Sequence, residues 1–237
     1  MATPKESYYE KRAQILIRNL ERRHFEAYYV RKKEEALVKV MELLERQREA
    51  MRDKMQEEMP TATQAELNDV NITVGWGGSA TAKAIGVVDA LHAGNYKTID
   101  RDKVYNPEKR VKVQKRIIAE ADAFITGCNA LSLDGQMVNI DDLGNRVAAI
   151  SYGPANVVVL VGMNKVTDDL DAAIKRARTY AAPMNKQRFQ NLTACSITGV
   201  CADCRSTECI CNQILITRHC RPTGRIKFIL IGEDLGF

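Results

Sequence analysis

Two stretches rich in glycine and asparagine carry the residue types that could handle a ligand. The first is Gly75-Trp76-Gly77-Gly78-Ser79-Ala80-Thr81. Gly75, Gly77 and Gly78 let the backbone approach a bound group, and the Ser79 and Thr81 hydroxyls add donors. A helix opening at Ala80 or Thr81 would leave free N–H groups that favour an anion. A simple tight connection would use the same glycines, and the Gly-Lys-Ser/Thr of a nucleotide phosphate loop is missing. Trp76 fits a pocket wall or the core. The second stretch holds Asn129, Asp134, Asn139, Asp141, Asp142, Asn145, Arg146, Asn164 and Lys165 around short apolar runs. Asn and Asp serve ligands or bond their own turns. Arg146 has the fork to grip an anion, or to hold Asp141 or Asp142 in an ion pair. Lys165, just past an apolar run, would neutralise a carboxylate or phosphate, or simply face solvent. His24, His92 and His219 are scattered, and no Ser–His–Asp or Cys–His set can be argued.

Cysteine supplies a different chemistry. Six of the seven cysteines fall between Thr193 and Cys220, and four of them read C-x5-C-x2-C-x6-C through Cys195, Cys201, Cys204 and Cys211. With no export signal, such thiols point to metal ligation, by zinc or an iron–sulfur cluster, or to reduced structural cysteines. Cys209 is an alternate fourth ligand. The spacing lacks the second C-x-x-C of a zinc ribbon and matches no standard ferredoxin run.

These residues need a scaffold. Ala123–Ile125 and Val157–Val161 are short, β-branched and bounded by Gly, Asn and Pro, as buried parallel strands are. Phe25–Val30, Asn71–Val74, Tyr96–Arg101, Val147–Ser151, Ile214–Thr217 and Ile226–Ile231 read as further strands, the last two joined by a turn at Pro222–Gly224. Ser7 and Glu10 fit a capping box ahead of an apolar stripe at Tyr9, Ala13, Leu16 and Leu20. A charged helix follows from about Lys33 to Met55, and residues 60–68 read as a polar linker. Asn106-Pro107 opens a basic helix carrying Lys109, Arg110, Lys112, Lys115 and Arg116. Thr167 caps another helix, which Pro183 ends. Strands alternating with helices predict a three-layer α/β/α domain with a mostly parallel sheet and a small Cys-rich C-terminal appendage. Ligand sites of open α/β sheets lie beyond the carboxyl ends of the strands. Both stretches must therefore meet at that rim to share a ligand.

The motifs NALSLDGQMVNID, GNRVAAISYGPANVVVLVGMNKV and the closing ILIGEDLGF resemble the LUD-domain family of lactate-utilisation proteins. ACSITGVCADC with the later ICN resembles the end of its short forms. In that pattern one Cys is expected where this chain reads Glu208-Cys209-Ile210-Cys211, so Cys209 is a departure. The resemblance implies a fold similar to ribose-5-phosphate isomerase and CoA transferases. It also implies, for some members, lactate oxidation alongside iron–sulfur partner proteins.

The 237 residues suffice for one full core. A net charge of +5 and a single Trp do not argue for nucleic acid, and no apolar run is long enough for a bilayer. A cytoplasmic protein is expected. Residues 1–60 read as an N-terminal helix and strand segment, 61–190 as the ligand-binding core, and 191–237 as the Cys-rich segment ending in a strand. Three roles are compatible with the residues and the resemblance. They are an accessory or electron-transfer subunit working with iron–sulfur proteins, a stand-alone enzyme acting on an anionic small molecule, and a metabolite-binding regulator. Each is compatible with a homo-oligomer.

Overall fold

The apolar runs build a central sheet whose two faces are both buried. The computed structural model describes residues 2–190 and 192–237; Met1 and Asn191, where the first and third expected segments open, lie outside them. The first half of the chain comprises α1 (Pro4–Arg22), β1 (Glu26–Val30), α2 (Lys33–Glu58), α3 (Gln64–Asp69), β2 (Thr73–Trp76), α4 (Ala80–Ile85), α5 (Val87–Ala93), β3 (Lys97–Ile99) and α6 (Pro107–Glu120). Then come β4 (Ala123–Gly127), β5 (Ala130–Ser132), β6 (Met137–Asp141), α7 (Asn145–Tyr152), β7 (Asn156–Gly162) and β8 (Val166–Thr167). The last part holds α8 (Leu170–Arg176), α9 (Ala182–Lys186), α10 (Ala194–Thr198), β9 (Gln213–Thr217) and β10 (Ile226–Ile231).

The main sheet has six strands in the order β1-β10-β7-β4-β2-β3, all paired in parallel. Strand residues alternate between two cores. Phe124, Val157, Val159, Val161, Phe228 and Leu230 pack with α1, α6 and α7. Ala123, Ile125, Val158, Leu160, Ile229 and Ile231 pack with α2, α4 and α5. This is the expected three-layer α/β/α arrangement. Each fully buried Val or Leu contributes roughly 1.5–3 kcal/mol, so these central strands form a rigid platform for the loops at their ends. A second sheet, β8-β5-β6-β9, packs its Val138 and Ile140 against the small residues Ala173, Ala177 and Ala182.

Several local expectations are corrected. Residues 147–151 belong to the helix α7, not to a strand: with only Ala149 and Ile150 buried, the short VAAIS run has one inner face. The first capping box is Thr3 with Glu6, which places Pro4 at the first helical position. A second box, Thr63 with Glu66, makes α3 out of the expected linker. Asp169, rather than Thr167, caps α8. Pro183 does not end that helix. A wider turn over residues 177–181 precedes it, and helical structure continues to Lys186; such bulges relieve the i to i−4 pattern that proline lacks. Strands β9 and β10 fall in different sheets, with β10 between β1 and β7. Among the described residues no helix is long and apolar enough to cross a membrane.

Candidate anion-binding cavity

The neighbours of β2 are β3 and β4, and the chain reaches them over opposite faces of the sheet. Helices α4 and α5 connect β2 to β3 on one face, and α6 connects β3 to β4 on the other. A crevice opens beyond the carboxyl ends of strands at such a reversal of strand order. Here it is a cavity of about 340 Å³. Gly78 and Ser79 after β2, Asn129 after β4, Asp141 at the end of β6, Asn145 and Arg146 at the start of α7, and Lys165 after β7 all line it. The two stretches singled out by composition therefore meet in one hollow.

Other expected residues serve the fold nearby. A Cβ on Gly75 would stand 2.5 Å from Ile117, so this glycine lets α6 settle on the sheet. Gly77 backs the wall, with Phe124, Thr126 and Arg146 close around it. Trp76 is buried in the α2–α4–α5 core and donates its indole N–H to Asp102 at 2.9 Å. Thr81 accepts from Lys165. Asn164 holds the C-terminal tail, its Oδ1 accepting from the Leu235 N–H at 3.1 Å. Asp134 is remote from the cavity. Its carboxylate pairs with Arg23 at 2.8 Å and clasps α1 to the β5–β6 hairpin. Asn139 is fully buried within β6 and also lies outside the lining. The helix after the glycines is short: left-handed Gly86 breaks it after Ile85. Ser79 spends its hydroxyl on the Ala82 N–H.

Arginines dominate the electrostatics. The lining holds Arg101, Arg110, Arg146, Arg188 and Lys165 against Asp141 and Asp142. Arg146 is the buttress among them. It donates to Asn129 Oδ1 at 2.8 Å and to the carbonyls of Ile140 and Gly127, and its Nε lies 3.5 Å from Asp141. Asn129 is itself fixed, accepting also from the Ile140 N–H. Arg101 is different. Its side chain is largely buried; among the described residues its Nε has no hydrogen-bond partner, and it forms a loose ion pair with Asp102, whose carboxylate oxygen is 3.5 Å from that Nε. Burial lowers its pKa from the ordinary value. The terminal nitrogens lie across the Cα of Gly78, where a Cβ would come within 3.6 Å. The terminal nitrogens thus form a fork beside a cavity, the geometry that grips a carboxylate or phosphate.

Lys165 is almost fully buried. Its ammonium donates to Thr81 Oγ1 at 2.9 Å and to the Cys128 carbonyl at 3.2 Å, both neutral acceptors. Burial pushes its pKa down to about 8, and the guanidiniums of Arg176 and Arg146 push the same way. Burial raises the neighbouring Cys128 thiol, which therefore stays protonated.

Arg101 and Arg188 were not picked out by sequence reasoning. The Arg101 position, two residues past β3, obeys the same strand-end rule that found Lys165. Arg188 follows α9 and carries no local signal at all. Nor does Phe237, which joins the lining through the tail.

The cysteine segment borders this cavity. Ile210 lines it, and Asn212 donates to the lining residue Asp142 at 2.8 Å. Burial, and then the adjacent Cys209, push the Cys211 thiol up to about 12, with Cys195 and Cys201 also acting on it. Among the described residues no three His, Cys, Asp or Glu side chains are gathered to hold a metal. Cys195, Cys201, Cys204, Cys209 and Cys211 are all half-buried and carry no disulfide.

The fold and cavity define a three-layer α/β protein with a basic pocket at its strand ends. The family model for the LUD domain matches residues 13–231, and the chain belongs to the LUD-domain family. A solved structure described as a DUF162 family protein from Deinococcus radiodurans is similar over 95% of this chain and 97% of that one, at 10% identity and a TM-score of 0.44. Curated proteins offer no match.

Proposed function

We propose that the chain binds a small anionic metabolite, a carboxylate or phosphate, in the cavity at the strand ends. Its cellular role is that of a subunit or accessory protein in the utilisation of lactate or a related 2-hydroxy acid, together with iron–sulfur partners. The observation that carries the binding step is the Arg101 fork whose terminal nitrogens lie beside Gly78, within a lining of five basic and two acidic side chains. Family membership supports the lactate context. Thermal unfolding with lactate, pyruvate, inorganic phosphate, sugar phosphates and CoA compounds tests the binding step. A ligand at a hundred times its Kd adds about 2.7 kcal/mol, or roughly 5–10 °C for a domain of this size. The shift should vanish in Arg101→Gln. No shift with any of these anions would remove the proposal.

A second reading, an enzyme acting on the bound anion, is favoured by one observation. Lys165 is a buried amine with neutral acceptors in the wall of the same cavity.

A further inference from the structure

We propose that Lys165 is a covalent amine of this cavity, forming a reversible imine with a small carbonyl compound whose anionic group is held by Arg101. The inference rests on the anion-binding reading above and names the ligand class and the reaction.

The hydrogen bonds around Lys165 fix its geometry. The Thr81 hydroxyl donates to the Leu235 carbonyl at 3.2 Å, so its lone pair accepts from Lys165 Nζ. The Cys128 carbonyl accepts a second N–H. Neither acceptor carries charge, and among the described residues Lys165 forms no ion pair with a carboxylate. A buried ammonium without a counterion is disfavoured. A neutral amine keeps both hydrogen bonds, because it still has two N–H groups. Its lone pair then occupies the remaining tetrahedral direction, away from Thr81 and Cys128. Lys165 lines the cavity. The tail packs closely against this arrangement: a Cβ on Gly236 would stand 2.7 Å from Thr81 Oγ1 and 3.0 Å from Lys165 Nζ.

Other buried amines lack this setting. Lys227 donates to Asn156 and Gly224 at the opposite, amino-terminal end of β10. Lys186 donates to the Glu208 carbonyl and does not line the cavity. The competing nucleophile, Cys128, is held as a thiol by burial. Lys165 gives up its proton more readily than an ordinary lysine, as amines that attack carbonyls must.

The step balances without an oxidant or reductant. The ammonium releases one proton to solvent. The nitrogen lone pair then adds to the carbonyl carbon. The two remaining N–H protons leave with the carbonyl oxygen as water, and a C=N bond remains. Carboxylate and phosphate tags share the chemistry that Arg101 recognises, so the carbonyl partner is a 2-oxo acid or a phosphorylated aldehyde or ketone.

The experiment treats the full chain with pyruvate, dihydroxyacetone phosphate or uncharged acetone in the presence of sodium cyanoborohydride near pH 8, followed by peptide mapping by mass spectrometry. The expected result is a reduced adduct on Lys165 with pyruvate or with dihydroxyacetone phosphate, at about tenfold or more over any exposed lysine. The two anionic arms decide which tag is taken. Inorganic phosphate should suppress the adduct. In Arg101→Gln, labelling of Lys165 by the anionic carbonyls should fall about tenfold, while the low labelling by acetone should stay as it was. Lys165→Arg keeps the charge and should lose the dominant adduct. If labelling spreads evenly over exposed lysines while phosphate still raises the melting temperature, the imine is wrong and the anion cavity stands. If phosphate gives no thermal shift and no adduct forms, both readings fall. Equal labelling by acetone and the anionic carbonyls overturns the assignment of Arg101.

Discussion

Replacing Lys165 by methionine should change how stability depends on pH. The Lys165 ammonium is taken by burial from an ordinary 10.5 down to about 8. At roughly 1.4 kcal/mol per pH unit, retaining that proton in the folded state costs about 3 kcal/mol. The unfolded chain holds the proton up to about pH 10.5 and the folded chain only to about 8. Between those values the unfolded state binds more protons, so stability rises with pH. Below pH 8 the whole penalty is present, and above pH 10.5 it has gone. In Lys165→Met this contribution is absent at every pH. The variant also loses two hydrogen bonds, to Thr81 and the Cys128 carbonyl, so its offset from wild type at one pH decides nothing. The change in that offset does. Urea unfolding at pH 7 and pH 10.5 should show the wild type gaining about 3 kcal/mol relative to the variant. All other titrating groups are common to both proteins and largely cancel. Parallel pH profiles, with the offset moving by less than about 1 kcal/mol, would refute the claim that a protonated Lys165 is buried without a compensating charge.

Three other substitutions test the surroundings. Gly236→Ala forces a side chain to φ +66° and against Thr81 and Lys165; it should lower stability by about 2–3 kcal/mol in urea titrations. Arg225 donates to the carbonyls of Ala149, Ile150 and Pro154. Arg225→Met should therefore cost about 3 kcal/mol and loosen α7, read as faster amide exchange over residues 145–152. Arg101→Gln should leave the melting temperature without ligand within about 2 °C of wild type, because among the described residues its Nε has no hydrogen bond and its Asp102 contact is a loose 3.5 Å. The same variant should no longer be stabilised by inorganic phosphate, and full retention of that stabilisation would move the anion elsewhere.

The central strands were legible because burial on both faces demands unbroken apolar runs, and Val157–Val161 is such a run. The glycine loop after β2 and the polar residues after β4 and β7 were legible for a related reason: turns at strand ends need Gly, Asn and Asp. The run VAAIS was ambiguous because five residues cannot separate a period of 2 from one of 3.6. The register of α7 came from its packing on β4 and β6. Asp134 and Arg146 illustrate the limit for polar residues. Both read as ligand candidates, yet one clasps a hairpin to α1 and the other ties Asn129 to Ile140 and Gly127. Composition reports that a charge is present. It does not report whether a neighbour already uses it.

The order of apolar and polar segments along the chain set the α/β class, the buried parallel strands and the glycine corners, since each follows from local spacing and backbone preference. Strand order was beyond its reach. Placing β10 between β1 and β7, and reversing the path at β2, depend on how distant segments bury one another. That three-dimensional arrangement brings Arg101, Arg188 and Phe237 to the rim beside Ser79 and Lys165. Among the described residues it also leaves the Arg101 Nε without a hydrogen bond and the buried Lys165 amine without a carboxylate partner, because shielding from water is a property of the assembled layers and of no single stretch.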